Sequence, residues 1–348
     1  MSATFKSINV MFLLIAGVIL LSGCSGIIKE KDKNRPLLLR TEMASIEELK
    51  SVVSRLSSVN SIRAKMDLRF EDNSFAELGI SEKYRTADGE IVVQRPASIL
   101  LKIQAPIAVT SLDIAQMASD GKRFSVAILN DGGSGKNRRF IIGSNNADYS
   151  ALKKEATADD GKDQDRELVA KVNAFSEIRP QHFTEAILVR PIDDERFIYV
   201  MSAVFIDEED LGSPKKSPIR RVMRGYYLLD ELIRDGASAR ISRRFWFDRV
   251  GLIKLARQQM FDSKGEIEAD ITYGLEGDVS SGDSVVKLPL SISVTRPKER
   301  YMLRLSYQSP EFVTIGRTYD PQVFTLLNDR ELPIIDLDER LKSLTNNR

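Results

Sequence analysis

Alternation of apolar and charged residues is the feature of this sequence that most constrains its fold. Over residues 62–70, every second residue is apolar and every residue between is charged. This period-two pattern is typical of a β-strand with one buried face and one face in water. It recurs along the chain, and glycine-containing turns such as 248–251 and 262–265 separate the repeats. The chain is therefore expected to consist mainly of short antiparallel strands.

The candidate strands form two runs with an interruption between them. The first run covers residues 62–70, 83–93, 98–104, 111–117, 123–129 and 139–142. The second covers residues 197–206, 220–229, 239–247, 252–261, 266–273, 287–295 and 301–307. So many short strands joined by hairpin turns predict one antiparallel sheet, strongly curved or barrel-like.

Helices are expected at three places. Ser45 and Glu48 have the spacing of a capping box, and an apolar stripe at three- and four-residue intervals follows them, which predicts an N-terminal helix. The interruption at about residues 145–192 contains a charge-dense loop and then a helical face. A second short helix follows, with Pro180 in its first turn. At residues 331–348, a packed helix and a frayed tail both remain open.

The interrupting segment is expected to cover an open end of the sheet. Its apolar residues, which we interpret as lid residues, are Leu168, Val172, Phe175, Phe183 and Ile187.

The N-terminus resembles a bacterial lipoprotein signal. An apolar stretch at residues 10–21 follows Lys6 and closes on Leu21-Ser22-Gly23-Cys24, which resembles a lipobox. The resemblance implies removal of residues 1–23, acylation of Cys24, and a tether over residues 24–40. Ser25, where an aspartate would favour the inner membrane, implies the periplasmic face of the outer membrane. An ordinary signal peptide with an incidental cysteine, or a signal anchor, remains the alternative.

Composition argues against several classes of function. The 51 Lys and Arg residues nearly balance the 50 Asp and Glu residues and are interleaved with them, so no nucleic-acid surface is predicted. Arg243 and Arg244 are expected on a solvated face or with their stems on apolar neighbours. The single histidine, His182, and the lack of catalytic motifs predict a protein that is not an enzyme and has no metal or cofactor. No apolar run after residue 23 is long enough to predict a transmembrane helix.

A second resemblance concerns the body of the chain. Arg95-Pro96, the apolar residues Ile99, Leu101 and Ile103, Pro106, and the Ser-Asp-Gly-Lys sequence at 119–122 resemble the LolA/LolB-like lipoprotein-localisation superfamily. The order of elements agrees over roughly residues 44–326. The resemblance implies a mainly β fold with helices (α+β): an unclosed half-barrel of about 11 to 13 strands with an N-terminal helix and a helical lid. The corresponding domain would span residues 41–330.

The resemblance also implies roles for particular residues. Arg95 matches a basic residue that takes part in lid closure, and Ile99, with Leu101 and Ile103, would line a lipid-binding cavity. Ile107 falls where the receptor branch has an exposed loop residue that engages the membrane. Each has a plainer alternative: a surface ion pair for Arg95, simple core for Ile99, and burial in its own hairpin for Ile107.

The sequence therefore predicts an outer-membrane-anchored periplasmic lipoprotein. It would bind lipid or lipoprotein acyl chains in an apolar half-barrel, for lipid or lipoprotein transfer or outer-membrane biogenesis. Its expected partners are those acyl chains, the membrane that holds its anchor, and a periplasmic carrier or envelope protein. The alternative is a structural lipoprotein that docks an envelope protein. The length of the chain and the insertion at residues 145–164 depart from the family pattern and favour a paralogue at least as much as the receptor itself.

Overall fold

The computed structural model describes most of the chain from residue 36 onwards. The described residues are 36–72, 82–83, 87–107, 110–130, 135, 138–147, 149, 152, 180–210, 212–217, 219–281, 284–298 and 300–346. The chain divides into two compact units. Met1–Arg40 and Phe205–Arg224 form one, called here the hairpin unit, and Thr41–Val204 and Gly225–Arg348 form the other, called the main unit.

Strands make up most of the described chain. They are β1 (Leu37–Leu38), β2 (Ser61–Asp72), β3 (Glu82–Lys83), β4 (Ala87–Gln94), β5 (Ser98–Ile107), β6 (Thr110–Ser119), β7 (Arg123–Ile128), β8 (Arg139–Ser144), β9 (Ile198–Glu209), β10 (Arg221–Asp235), β11 (Ser238–Asp248), β12 (Lys254–Phe261), β13 (Ile267–Tyr273), β14 (Glu276–Ser281), β15 (Ser284–Pro289), β16 (Ser291–Arg296), β17 (Tyr301–Tyr307), β18 (Thr314–Ile315) and β19 (Ile334–Asp336).

The predicted fold class is confirmed. The chain is mostly β with few helices, and its large curved sheet of 17 strands is mixed and, within the described residues, not closed into a barrel. Antiparallel registers connect β10 through β11, β12, β13, β16, β17, β2, β4, β5, β6 and β7 to β8. Two short strands pair in parallel, β1 with β10 and β19 with β8.

One predicted strand was wrong in its extent. Residues 287–295 form parts of two strands that are interrupted at Leu290, because β15 pairs with β14 in a separate two-stranded sheet whereas β16 lies between β13 and β17. The Leu290 amide donates to the Leu275 carbonyl at 2.8 Å, and its carbonyl accepts from the Tyr307 amide at 3.0 Å. Leu290 therefore marks the point where the chain passes from one sheet to the other.

The helices are α1 (Ile46–Ser57), α2 (Pro180–Ile187) and α3 (Leu337–Asn346). The predicted capping box of α1 is present: the Glu48 amide donates to Ser45 Oγ at 3.3 Å, and the Ser45 amide donates to Glu48 Oε2 at 2.6 Å. Each bond satisfies an amide that a helix start would otherwise leave unpaired. At the other end of the chain, the carboxylate of Asp338 in α3 accepts from Ser144 Oγ at 2.7 Å and Tyr149 Oη at 2.5 Å.

One face of the sheet in the main unit carries the main core, and we call it the inner face. Ile62, Val93 and Ile99 are paired across β2, β4 and β5 and are buried on it. α1 contributes Leu49 and Val53 to the same apolar cluster. Side chains from strands and helices thus share one continuous core.

The opposite face of β4 and β5 is also covered. Val92 is buried there and Leu100 is half-buried, in a cluster with Tyr319 and Phe324 of the segment that follows β18. A short 3₁₀ helix, Pro321–Phe324, begins this cover, and the Asp320 side chain caps it. At these positions, β4 and β5 are therefore covered on both faces.

Candidate functional site: a latched helix on an apolar face

The helix α2 lies on the inner face of the sheet. It packs against β5 and also contacts β4 and β16. Its residues Phe183 and Ile187 are buried in the same apolar cluster as Ile99 and Leu101 of β5. The structure therefore brings two of the predicted lid residues together with two of the predicted cavity residues. Ile103 is half-buried and packs against the edge of this cluster.

Several predicted residues cannot be placed in this site. The backbone of Ile107 ends β5 opposite Thr110, but the Ile107 side chain lies outside the described part of the chain. Leu168, Val172, Phe175 and Cys24 also lie outside the described residues. Their roles remain predictions.

Side chains from the sheet hold the C-terminal end of α2. The last carbonyls of a helix have no partner inside the helix and must find one elsewhere. The Tyr273 hydroxyl of β13 donates to the Ala186 carbonyl at 3.2 Å. Arg95, between β4 and β5, donates through Nη2 to the Val189 carbonyl at 2.7 Å. Together with Arg243, described below, we call these donors the latch.

Arg95 also joins this end of α2 to the end of α1. Its guanidinium donates to the carbonyls of Ser57 and Val59, each at 3.3 Å. Half-burial, and then the nearby charge of Arg243, lower the pKa of Arg95 below its usual value. The described hydrogen bonds of the Arg95 side chain all go to backbone carbonyls, so in this structure the residue acts as a clamp between two helix ends.

The third donor of the latch belongs to a buried ionic cluster. Arg243 of β11 donates through Nη1 to the Arg190 carbonyl at 3.2 Å and through Nη2 to Glu231 Oε2 at 2.5 Å. The Arg190 side chain donates to the other carboxylate oxygen at 2.5 Å, and the Tyr199 hydroxyl donates to Glu231 Oε2 at 2.8 Å. Burial raises the pKa of Tyr199 to about 12, which keeps this hydroxyl protonated and able to donate. The segment after α2 is thus tied to β10 and β11.

A second carboxyl group lies on α2 itself. Burial raises the pKa of Glu185, while Arg190 and Arg243 act to lower it and the carboxylates of Glu268 and Glu231 act to raise it. Because burial is the largest cause, Glu185 stays neutral up to a higher pH than an exposed glutamate does. The charge of α2 therefore depends on pH.

Of the two positions expected for Arg243, the solvated face was wrong, and packing against an apolar neighbour is the one that the structure shows. The side chain is 2% exposed, and its guanidinium lies over the Phe245 ring at 4.3 Å. Strand alternation could have shown this, because Phe245 and Phe247 are both fully buried and Arg243 lies on the same face. Which residue pairs with Arg243 depends on the register of β10 against β11. The alternation of residues within a single strand does not reveal that register. Arg244 is half-buried on the other face and pairs with Asp230, so this position is closer to the expectation.

Comparisons by sequence found no relatives. No family model matches the chain, and no curated protein matches it significantly.

Its fold has similar solved structures. One is a LolA superfamily protein from Nitrosomonas europaea, with 9% identity over 80% of this chain and 97% of that chain, and a TM-score of 0.37. A DUF1329 family protein from Desulfovibrio piger has 10% identity over 80% of this chain and 95% of that chain, with a TM-score of 0.40. An outer membrane lipoprotein-sorting protein domain from Vibrio parahaemolyticus has 13% identity over the same shares and a TM-score of 0.37.

Two other kinds of site were sought in the described part of the chain. No group of three or more His, Cys, Asp or Glu side chains there could hold a metal ion. None of the helices in that part combines the length and the apolar composition needed to cross a membrane.

Proposed function

We propose that this protein binds the acyl chains of lipids or lipoproteins on the inner face of its sheet, beneath α2. The observation that carries the proposal is the pairing of an apolar contact with a polar latch. Phe183 and Ile187 occupy the face formed by Ile99 and Leu101, while hydrogen bonds to carbonyls hold one end of the helix. A cover held in this way can leave the face without unfolding the sheet.

The free energies of apolar burial and of the latch hydrogen bonds decide whether an acyl chain can replace α2 on the inner face. Hydrophobic transfer is non-directional, so the same face accepts either apolar side chains or acyl methylenes. About ten buried methylenes contribute roughly 8 kcal/mol. Each hydrogen bond of the latch contributes about 1 to 3 kcal/mol. Acyl chains that enter beneath α2 first replace the contacts of Phe183 and Ile187, whose exposure costs about 1.5 to 3 kcal/mol each. Burial of methylenes beyond that amount offsets the loss of the latch.

The proposal also includes where the protein is held and which partners it exchanges lipid with. Acylation of Cys24 would tether the chain to the periplasmic face of the outer membrane, where a periplasmic carrier or an envelope protein would deliver or receive the lipid. Leu168, Val172 and Phe175 would extend the cover that α2 begins, and Ile107 would contact the membrane. No catalytic step is proposed, because the apolar contacts and the latch alone account for binding and release.

The test is the lipid content of the purified protein. Native mass spectrometry of the mature chain should detect a bound acyl lipid, and Ile99→Trp should lower the bound fraction at least tenfold by filling the inner face. Leu100→Trp is the matched control, because it overfills the opposite face of the same strand and should leave lipid binding intact. A chain that carries no acyl lipid from envelopes and takes up none from micelles would contradict the proposal. Crosslinking in cells to a stable protein partner, without lipid, would instead favour a docking function.

A further inference from the structure

The turn between β9 and β10 is a basic part of the hairpin unit. The Ser217 amide donates to the Pro214 carbonyl at 2.8 Å, which closes a four-residue turn. Lys215 and Lys216 occupy its two central positions and are both exposed. Because this turn lies in the connection between the two strands, both lysines belong to that end of the hairpin.

The charge of these lysines is only partly offset within the hairpin. Three carboxylates on the β9 side pair with arginines on the β10 side: Asp207 with Arg221, Glu208 with Arg224, and Glu209 with Arg220. A fourth, Asp210, accepts hydrogen bonds from the Gly212 amide and Ser213 Oγ. Residues 205–224 therefore hold five basic and four acidic side chains. Within the described residues, neither Lys215 nor Lys216 takes part in an ion pair. The end of the hairpin therefore carries a net positive charge.

Exposed apolar side chains flank the lysines. Ile219 follows the turn and is 55% exposed, and Leu37 and Leu38 of β1 are 48% and 66% exposed. Basic residues beside exposed large apolar residues are typical of surfaces that bind the interface of a bilayer.

The pairing of β1 directs the N-terminal tether to the same end. Leu37 lies opposite Val222 and Leu38 opposite Met223, in parallel. The chain upstream of Leu37 therefore leaves the sheet in the direction of the β9–β10 turn. Residues 25–36, fully extended, span at most about 45 Å. Basic residues also outnumber acidic ones among them. An anchor at Cys24 would hold the turn within that distance of the bilayer.

We propose that the β9–β10 turn, with Lys215, Lys216 and Ile219, binds the surface of the anionic phospholipid bilayer that holds the lipid anchor. This inference rests on the acylation of Cys24 proposed above. The lysines supply attraction to anionic headgroups, and Ile219 enters the boundary between headgroups and acyl chains. The acyl anchor and the turn form two contacts with the same membrane, which restrict the orientation of the hairpin unit.

Depth-dependent fluorescence quenching tests the contact. Cys24 is the only cysteine, so once it is acylated an introduced cysteine is the only thiol that can be labelled. The mature acylated chain with Ile219→Cys is labelled with bimane and placed in vesicles of phosphatidylethanolamine and phosphatidylglycerol that contain a nitroxide lipid. Phe205→Cys is the matched control, because Phe205 is 47% exposed but lies roughly 17 Å along β9 from the turn. Quenching at residue 219 should exceed quenching at residue 205 at least threefold.

Charge variants in the Ile219→Cys background test the role of the lysines. Each lysine near an anionic surface contributes about fivefold, so Lys215→Gln with Lys216→Gln should weaken the contact about twenty-five-fold, and Lys215→Arg with Lys216→Arg should retain it. Equal, weak quenching at residues 219 and 205 in an acylated chain would overturn this inference and leave the anchor intact. A mature chain whose intact mass shows no acyl groups would instead refute the anchor, and the inference would fall with it.

Discussion

Glu231 and Arg243 lie directly opposite each other on β10 and β11, and a hydrogen bond of 2.5 Å joins them although both side chains are almost completely buried. Arg243 also holds the Arg190 carbonyl, so this ion pair connects the sheet to the segment after α2. A buried charge without its partner is costly, whereas a buried pair replaced by apolar residues is often tolerated.

Removing one member of this pair should destabilise the protein. We expect Arg243→Met to lower the free energy of unfolding by up to about 3 to 5 kcal/mol, because Glu231 would lose the more deeply buried of its two arginine partners and keep only Arg190. Adding Glu231→Leu to that variant should recover most of the loss. Urea unfolding of the single and double variants measures both effects. Equal losses in the two variants would show that apolar packing, and not the uncompensated charge, sets the cost.

The raised pKa of Glu185 predicts a dependence of stability on pH. The folded state holds the Glu185 proton more tightly than the unfolded state, whose pKa is near 4.5. The contribution to stability is therefore complete below that pKa and is lost as the pH rises through the folded-state pKa. Glu185→Gln should abolish this loss, so the variant should be the more stable protein at neutral pH. Denaturant unfolding over a pH series measures it, and Glu195→Gln, an exposed change, should leave the profile of the parent protein unaltered.

The Arg95 clamp should control how often the end of α2 opens. In Arg95→Met the Val189 carbonyl loses its donor, and the carbonyls of Ser57 and Val59 also lose theirs. We expect amide exchange at Leu188 to accelerate at least tenfold, because local opening no longer breaks bonds to a charged donor. Hydrogen exchange followed by mass spectrometry measures this. Arg63→Met removes only a surface pair with Glu90 and should not affect exchange at Leu188.

The capping box of α1 allows a matched pair of substitutions. Ser45→Ala should lower the free energy of unfolding by about 1 kcal/mol, because the Glu48 amide loses its acceptor. Ser51→Ala, an exposed change in the middle of the same helix, should instead have little effect or slightly raise stability. Thermal unfolding followed by circular dichroism distinguishes the two. Equal changes in the two variants would mean that helix propensity, and not capping, determines the result.

Features that depend on neighbours along the chain were predictable. The alternation over residues 62–70 predicted β2 and its buried face, because a strand turns every second side chain to the same side. The spacing of Ser45 and Glu48 predicted the start of α1, and Pro180 predicted the start of α2. The division of residues 287–295 into two strands was not predictable, because an apolar run looks the same whether its neighbours belong to one sheet or two.

The candidate site was predictable only in its apolar part. The family resemblance placed Ile99 and Leu101 in a lipid-binding cavity, and the helical pattern placed Phe183 and Ile187 on a short helix. The latch was not predictable, because it joins side chains to carbonyls that lie far away in the sequence. Arg95, for example, binds the carbonyl of Val189, which lies 94 residues further along the chain.

Local sequence by itself determined where strands and helices form and which side of each is apolar, since these depend on backbone periodicity and on bonds between near neighbours. Tertiary structure alone decided which strands became neighbours, that β1 runs parallel to β10, and that Arg243 faces Glu231 in the core. The physical reason is that register and long-range hydrogen bonds are set by packing the whole chain at once. The cost of burying a charge depends on a partner that the local pattern cannot identify.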